Sequence, residues 1–335
     1  MKVVVTRPTA APGELDKLRA EGHEVSLGRQ GPAHSETELG ELLRDADVLM
    51  PMSTDPISRK VLEGAERLRL VVVPFIGVDR IDIEAATELG ILVANSPTKE
   101  NVVGMAEVTI GLILSLIKRA KRNEARLRGG EWRRQEDQGD LLCEKTVGIV
   151  GLGRIGSEVA RRLGAFEVSL LASDPYVSED HAKKFNVRLT DLLTVMRSSD
   201  VVTVHCVLTD ETRGLIGERE LRLMKPTALL LNTARGGIVD EAALCRAIEE
   251  GLIAGAALDS FAEEPLPLES RLRRLDPERV ILTPHNVGLS AAGGNANFAL
   301  AMRSIREALR GEVPAPTLNR DAIPRWQERL KKLGV

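Results

Sequence analysis

A chain of 335 residues is long for one hydrophobic core and predicts two domains. With 43% hydrophobic residues, 28% charged residues and a formal net charge of −3, its surface is mixed in sign, which argues against nucleic acid or a membrane as partner. Aromatic residues at 2% leave an aliphatic core and no base-stacking platform.

The N-terminus runs straight into an apolar segment, Lys2–Thr6, without the pattern of a signal peptide. Through the first hundred residues, apolar runs predict strands at Val3–Val5, Glu24–Leu27, Asp47–Met50, Leu70–Val73 and Ile91–Ala94. Helical patterns fall between them at Gly13–Glu21, Glu36–Leu43, Ser58–Gly64 and Asp82–Glu88. This alternation is that of a small parallel-sheet domain; it has no glycine fingerprint and is not expected to hold a nucleotide. Ser96-Pro97 then breaks the chain, and Asn101 or a neighbour is placed to cap a long helix reaching about Arg122. Within it, Val102–Leu116 is apolar, but Glu107 interrupts it and it is too short to span a bilayer. The basic cluster Lys118–Arg122 has acids nearby and reads as a solvated helix end.

Thr146–Val150 predicts a buried strand that enters Gly151-Leu152-Gly153-Arg154-Ile155-Gly156. A helical pattern follows, with Ile155, Val159 and Leu163 four apart on one face, and a second apolar run, Val168–Ser173, ends at Asp174. The order strand, glycine turn, helix, strand, acid is the dinucleotide-binding fingerprint. The glycine pattern alone is weak, because such a turn in an α/β fold can bind nothing; its context supplies the specificity. Gly151 permits the tight turn, Gly153 lets backbone approach a pyrophosphate, and Gly156 lets helix and strand pack closely. The helix N-terminus offers N–H groups and partial positive charge to the phosphates. A carboxylate at Asp174 suits a ribose 2′-OH and repels a 2′-phosphate, and no arginine follows closely, so NAD is expected rather than NADP.

Further strands are predicted at Asp200–His205, Ala228–Asn232, Gly255–Leu258 and Val280–Leu282, and a last helix at Ala291–Arg310 precedes a proline-rich tail, Pro314–Pro316. The whole nucleotide-binding segment separates the early sheet from this tail, so the C-terminal stretch is expected to return to the first domain. The expected architecture is α/β with two domains. A Rossmann doubly wound NAD-binding domain over residues 101–288 is inserted in a flavodoxin-like parallel-sheet substrate domain made of residues 1–100 and 289–335. The crossings fall near Asn95–Val102 and Asn286–Ala292 and are expected to flank a cleft. Cys143, Cys206 and Cys245 are scattered, as suits reduced thiols in the cytoplasm, and no metal-ligand spacing is present.

Three predicted strand ends carry candidate chemistry. Arg235 follows the strand ending at Asn232, Glu264 stands in Asp259-Ser-Phe-Ala-Glu-Glu-Pro265, and His285 lies in Thr283-Pro-His-Asn286. Open α/β sheets place their ligands at such carboxyl ends. Singly, each has a bland reading as an ion-pair partner or a satisfied polar residue; three at neighbouring strand ends read as a site.

With these residues, the chain resembles the D-isomer-specific 2-hydroxyacid dehydrogenases. The resemblance runs from Leu70–Asp82 through the fingerprint to Gly288, and takes in Gly130-Glu-Trp132, Met224-Lys-Pro226 and Asp240-Glu-Ala-Ala-Leu244. It implies that Arg235 binds the substrate carboxylate and carbonyl, that His285 carries the proton, and that Glu264 hydrogen-bonds His285. It also implies that Asp259 holds the nicotinamide carboxamide and that Thr209, Thr233 and Ala234 line the cofactor. Further cofactor contacts are expected from Arg154, Ile155, His205, Val207, Arg235, His285 and Gly288. Phe75, Ile76 and Gly77 are expected to meet the substrate with Arg235 and His285. A homodimer joined through the NAD-binding domains is implied as well.

The implied reaction is hydride transfer between NAD(H) and a 2-keto or D-2-hydroxy acid. A guanidinium can bind a carboxylate with two hydrogen bonds and polarise the reacting oxygen, while an imidazolium beside a carboxylate can donate a proton near neutral pH. Departures from the family pattern bear on substrate. Phe75 stands where glycine is frequent, and Val73 where phosphoglycerate-specific members carry arginine, so the loop offers a phosphate no cation. A small or apolar 2-keto acid, such as glyoxylate, hydroxypyruvate or a branched-chain acid, is therefore expected over 3-phosphoglycerate. Val207 replaces a usual proline, and the 21-residue interval from Glu264 to His285 runs long, with Pro267–Arg274 expected as a surface turn. The competing readings are an NAD(H)-sensing interaction protein like the corepressors of this fold, and a 3-phosphoglycerate dehydrogenase. Formate and phosphite oxidation are disfavoured by Glu264 and Ile76, where glutamine and lysine respectively would stand.

Overall fold

The computed structural model describes residues 1–7 and 12–334. The chain divides into two compact units, Met1–Asn101 with Ser290–Val335, and Val102–Leu289.

The first unit opens with strands β1 (Lys2–Val5), β2 (Glu24–Leu27), β3 (Val48–Met50), β4 (Leu70–Val72) and β5 (Leu92–Ala94), all parallel, in the order β2-β1-β3-β4-β5. Helices α1 (Pro12–Ala20), α2 (Glu36–Leu43), α3 (Arg59–Glu63) and α4 (Ile83–Glu88) connect them. Strands covered on both faces read as unbroken aliphatic runs, and these do. Val3, Val5, Val48, Met50, Leu70 and Val72 face one cluster, while Val4, Leu49, Val71 and Val93 face the other. Local signals set the helix starts: Ser35 and Glu38 form a reciprocal capping box at α2, and Asp82 accepts the Ala85 N–H at 2.8 Å before α4.

The helix expected to reach about Arg122 ends earlier. It divides into α5 (Lys99–Ile117) and α6 (Ala120–Arg128), because Arg119 takes a left-handed conformation with φ 50°. The cap of α5 is Thr98, a neighbour of Asn101, its Oγ1 accepting the Asn101 N–H. With 19 residues and a mean hydropathy of 1.6, α5 is long and apolar enough to cross a bilayer, contrary to the sequence expectation. Its Ala106, Ile110, Ile113 and Ile117 are buried in the core of the second unit.

That unit is built on β6 (Thr146–Val150), β7 (Ser169–Ser173), β8 (Val187–Leu189), β9 (Val201–Val204), β10 (Leu229–Asn232), β11 (Gly255–Leu258) and β12 (Val280–Leu282). The order is β12-β11-β10-β9-β6-β7-β8, all parallel, with the switch of direction between β6 and β9. β8 is not among the predicted strands, since Val187-Arg188-Leu189 is too short for its apolar alternation to stand out. Helices α7 (Arg154–Leu163), α8 (Glu179–Lys183), α9 (Leu192–Ser198), α10 (Glu218–Leu221) and α11 (Glu241–Glu249) cover the two faces. The stretch expected as a surface turn at Pro267–Arg274 is partly structural: Arg271–Arg274 forms a 3₁₀ turn that buries Leu272 in the core.

The chain then completes the first unit with α12 (Ala291–Leu309) and α13 (Ile323–Lys332). α13 lies beyond the proline-rich tail and was not expected. Trp326, 1% exposed, donates its indole N–H to the Arg69 carbonyl at 3.0 Å, and Asn319 bonds Val93 and Ile91 beside β5.

Candidate active site

The glycine turn closes the β6–α7 connection, and its three glycines stand in different surroundings. Gly151 has φ 94°, and a Cβ on it would lie 2.5 Å from the Cys206 nitrogen. A Cβ on Gly156 would lie 2.2 Å from the Gly151 carbonyl oxygen, so only glycine lets α7 sit this close to the strand. Among the described residues Gly153 meets nothing within 4 Å on its Cβ side, and with Arg154 it is exposed at the amino end of α7. Ile155 instead packs partly against the core. An open backbone surface at the start of a ten-residue helix fits a bound diphosphate. Asp174 follows β7, its carboxylate accepting the N–H of Leu152 in the turn at 2.8 Å and that of Tyr176 at 2.9 Å.

Next along the carboxyl edge, His205 lies after β9, its Nε2 2.9 Å from the Thr203 hydroxyl; burial pushes the imidazole down to about 4, so it is neutral near pH 7. Val207 is 72% exposed, and Thr209 donates its N–H to Thr212 Oγ1 at 2.8 Å. Thr212 in turn donates to the Val207 carbonyl at 2.6 Å, which pins this loop.

After β10, Asn232 folds the chain back: its amide donates to the Arg235 carbonyl at 2.8 Å and accepts the Ala234 N–H at 3.1 Å. Thr233 is buried, 3.5 Å from the Thr109 hydroxyl. After β11, Asp259 is 2% exposed. Its Oδ1 accepts the Thr283 hydroxyl at 2.7 Å and the Asn286 N–H at 3.1 Å, tying the end of β11 to the segment after β12. Burial pushes this carboxyl up, and those hydrogen bonds only partly oppose it.

Glu264 and His285 meet across the same gap. His285 Nδ1 lies 2.8 Å from Glu264 Oε2 and 3.0 Å from Oε1, and Glu264 also accepts the Phe261 N–H at 2.9 Å. The Glu264 hydrogen bond raises the His285 pKa against the opposing effects of burial and of the Arg235 charge. Burial would lift the Glu264 carboxyl, but the His285 and Phe261 bonds, helped by the charges of His285 and Arg235, hold it below its ordinary value. His285 has φ 51°, a left-handed conformation that is uncommon for a residue with a side chain. With Nδ1 committed to Glu264, Nε2 is the nitrogen left for a ligand. Gly288 is held by packing: a Cβ there would lie 1.9 Å from the Met105 sulfur.

In the first unit, the loop after β4 carries Phe75, Ile76 and Gly77, all half-buried. The Phe75 carbonyl accepts the Ser96 N–H at 2.9 Å, and the Ile76 carbonyl accepts from the Asn95 amide at 2.8 Å. Val73, 1% exposed, is sealed in the apolar core. Asn232, Thr212 and Thr283 hold these loops but were not singled out from the sequence. A hydroxyl or amide near a strand end gives no signal until its partner is known. A cavity of about 580 Å³ opens at the opposite, amino ends of β6, β7 and β8, among Thr146, Ser169, Val187 and Arg188, away from these residues.

Residues 110–287 match the NAD binding domain of the D-isomer specific 2-hydroxyacid dehydrogenases. The chain is 39% identical to a D-3-phosphoglycerate dehydrogenase of Methanocaldococcus jannaschii, over 99% of this chain and 62% of that protein. It is 38% identical to a glyoxylate reductase of Thermofilum pendens, over 99% of this chain and 98% of that one. The crystal structure of the TT0316 protein from Thermus thermophilus superposes with a TM-score of 0.87 at 32% identity, covering 95% of this chain and 100% of that chain. The chain thus spans less than two thirds of the phosphoglycerate dehydrogenase and nearly all of the glyoxylate reductase. It belongs to the D-isomer specific 2-hydroxyacid dehydrogenase family. Its second unit carries the NAD-binding domain of that family.

Proposed function

We propose that the protein interconverts a 2-keto acid and a D-2-hydroxy acid with NAD(H), using His285 as acid and base, Glu264 to orient and charge it, and Arg235 to bind the substrate carboxylate and carbonyl oxygen. The observation that carries this reading is the 2.8 Å pair of His285 and Glu264 at the carboxyl edge of the NAD-binding sheet, under the charge of Arg235. When bound, NADH would supply the hydride for the carbonyl carbon. Negative charge then builds on the carbonyl oxygen, where a guanidinium stabilises it. His285, its pKa raised by the Glu264 hydrogen bond, donates its Nε2 proton to that oxygen, a contribution of about 10²–10⁴ in rate. In the oxidative direction neutral His285 takes the proton back.

For the cofactor, Gly151, Gly153, Arg154, Ile155 and Gly156 would hold the diphosphate, and Asp174 the ribose hydroxyls. Asp259 would hold the carboxamide through Oδ2, since its Oδ1 takes the bonds from Thr283 and Asn286. His205, Val207, Thr209, Thr233, Ala234 and Gly288 would line the remaining wall. For the substrate, the loop at Phe75, Ile76 and Gly77 offers apolar and backbone groups, and buried Val73 presents no donor. A small or apolar 2-keto acid, such as glyoxylate or hydroxypyruvate, suits it better than a phosphorylated one. The three free cysteines fit a cytoplasmic location, and exposed Trp132 and Leu127 in the second unit suit contact with a second copy.

The test is a panel of 2-keto acids followed by loss of NADH absorbance, with NADPH in parallel. Turnover of small 2-keto acids with NADH is expected. Silence across the panel would sink the enzyme reading. Faster turnover of phosphohydroxypyruvate would sink the substrate assignment, and a preference for NADPH the reading of Asp174.

A further inference from the structure

Glu264 sits in a short turn, Phe261–Pro265, whose bond from Phe261 N–H to Glu264 is internal to it. Glu241, the first residue of α11, ties the backbone of this turn to another element: its Oε1 accepts the Ala262 N–H at 2.6 Å. The same peptide packs directly on Gly236: a Cβ there would lie 1.8 Å from the Phe261 carbonyl carbon and 2.2 Å from the Ala262 nitrogen. Asp240, the preceding residue, caps α11 by accepting the Ala243 N–H at 2.9 Å, which fixes where Glu241 projects.

We infer that Glu241 is a positioning residue for the acid–base pair: its carboxylate holds the Ala262 peptide against Gly236, and so holds Glu264 at His285. This role rests on the dehydrogenase reading above. A hydrogen bond to an ionised acceptor is short and strong, and a turn without secondary structure depends on such ties. Glu241 is half-buried beside a second carboxylate, Glu264, and near Asp240. Burial first, then those two charges, push its carboxyl above its ordinary value, and the Ala262 N–H offsets part of this. The groups that act on His285 itself are Glu264, Arg235 and Asp259, so Glu241 reaches the imidazole only through the placement of Glu264.

The test compares Glu241→Ala with Glu241→Gln. The glutamine keeps an acceptor for the Ala262 N–H; the alanine does not. In Glu241→Ala, kcat for keto-acid reduction is expected to fall about tenfold, less than loss of the proton donor itself would give, with the NADH dissociation constant unchanged. The upper limb of the reductive pH profile is expected to move to lower pH, because a loosened Glu264 no longer raises the His285 pKa. Glu241→Gln is expected to restore most of both. An unmoved pH limb in Glu241→Ala, or a glutamine variant as impaired as the alanine, would overturn the inference. NADH binding by both variants reports that they are folded. If the wild type reduces no 2-keto acid, the His285 titration is read by NMR instead, its resonance identified among the five histidines with His285→Gln. A lower midpoint in Glu241→Ala, restored in Glu241→Gln, upholds the clamp even where the dehydrogenase reading fails. An unchanged midpoint removes it.

Discussion

At the scale of the residue, His285 shows how one side chain is tuned by several neighbours. Its left-handed backbone costs on the order of 1–3 kcal/mol, which the Asp259 bond to the following Asn286 N–H and the Glu264 bond to Nδ1 help to offset. Glu264 raises its pKa above 6.5, while burial and Arg235 work the other way. The sign of the pH dependence follows. On the proposed mechanism reduction draws on the imidazolium, so kcat/KM is expected to be full below the His285 pKa and to fall as pH rises through it, with that limb on the high side of the ordinary histidine value. Oxidation would draw on the neutral ring and is expected to be lost as pH falls through the same value. His285→Ala is expected to lower kcat by about 10²–10⁴ while NADH affinity, read by fluorescence titration, stays at the wild-type value. Turnover equal to wild type would take His285 out of the mechanism.

At the scale of the element, the site depends on the segments after β10, β11 and β12 lying side by side. Gly236 is where the first two touch, and the obstacle facing a side chain there is backbone. Gly236→Ala is therefore expected to destabilise the protein by about 1–3 kcal/mol, as overpacked interiors do. It should also separate Arg235 from the turn that carries Glu264. Denaturant unfolding and steady-state kinetics on the same variant check this. A normal kcat/KM would mean the contact matters for packing alone. The sequence marked Arg235, Glu264 and His285 through the strands that precede them. It assigned no role to Glu241 or Thr283, because a hydrogen bond to the next strand's loop leaves no trace in either segment.

At the scale of the whole molecule, Leu127, Trp132 and Leu141 are 61%, 75% and 65% exposed within one stretch of the second unit. Large apolar side chains left exposed favour burial against a partner, and the family resemblance implies a second copy. Sedimentation at micromolar concentration is expected to give twice the 36.4 kDa of one chain, and Trp132→Asp is expected to shift the protein toward monomer. A wild-type monomer would overturn the dimer. The first unit depends on distant pieces of chain as well: Trp326 and Arg329 of α13 donate to the carbonyls of Arg69 and Leu68, more than 250 positions away.

What the sequence determined by itself was local. The aliphatic runs imply buried parallel strands, the helical patterns at Glu36–Leu43 and Asp82–Glu88 place helices between them, and the glycine turn with Asp174 announces a dinucleotide site, because each is written in a few adjacent residues. It could not show β8, whose three residues become a strand only by pairing with β7. Nor could it show α13, whose Trp326 and Leu330 are two apolar positions among charges until the first unit's core receives them. The 2.8 Å between His285 and Glu264 belongs to the same class. Twenty-one positions of chain separate the two residues, and the pairing of β11 with β12, locked by Asp259 and Thr283, decides that they meet. Contacts of that kind are fixed by the packing of whole elements, a property no single segment carries.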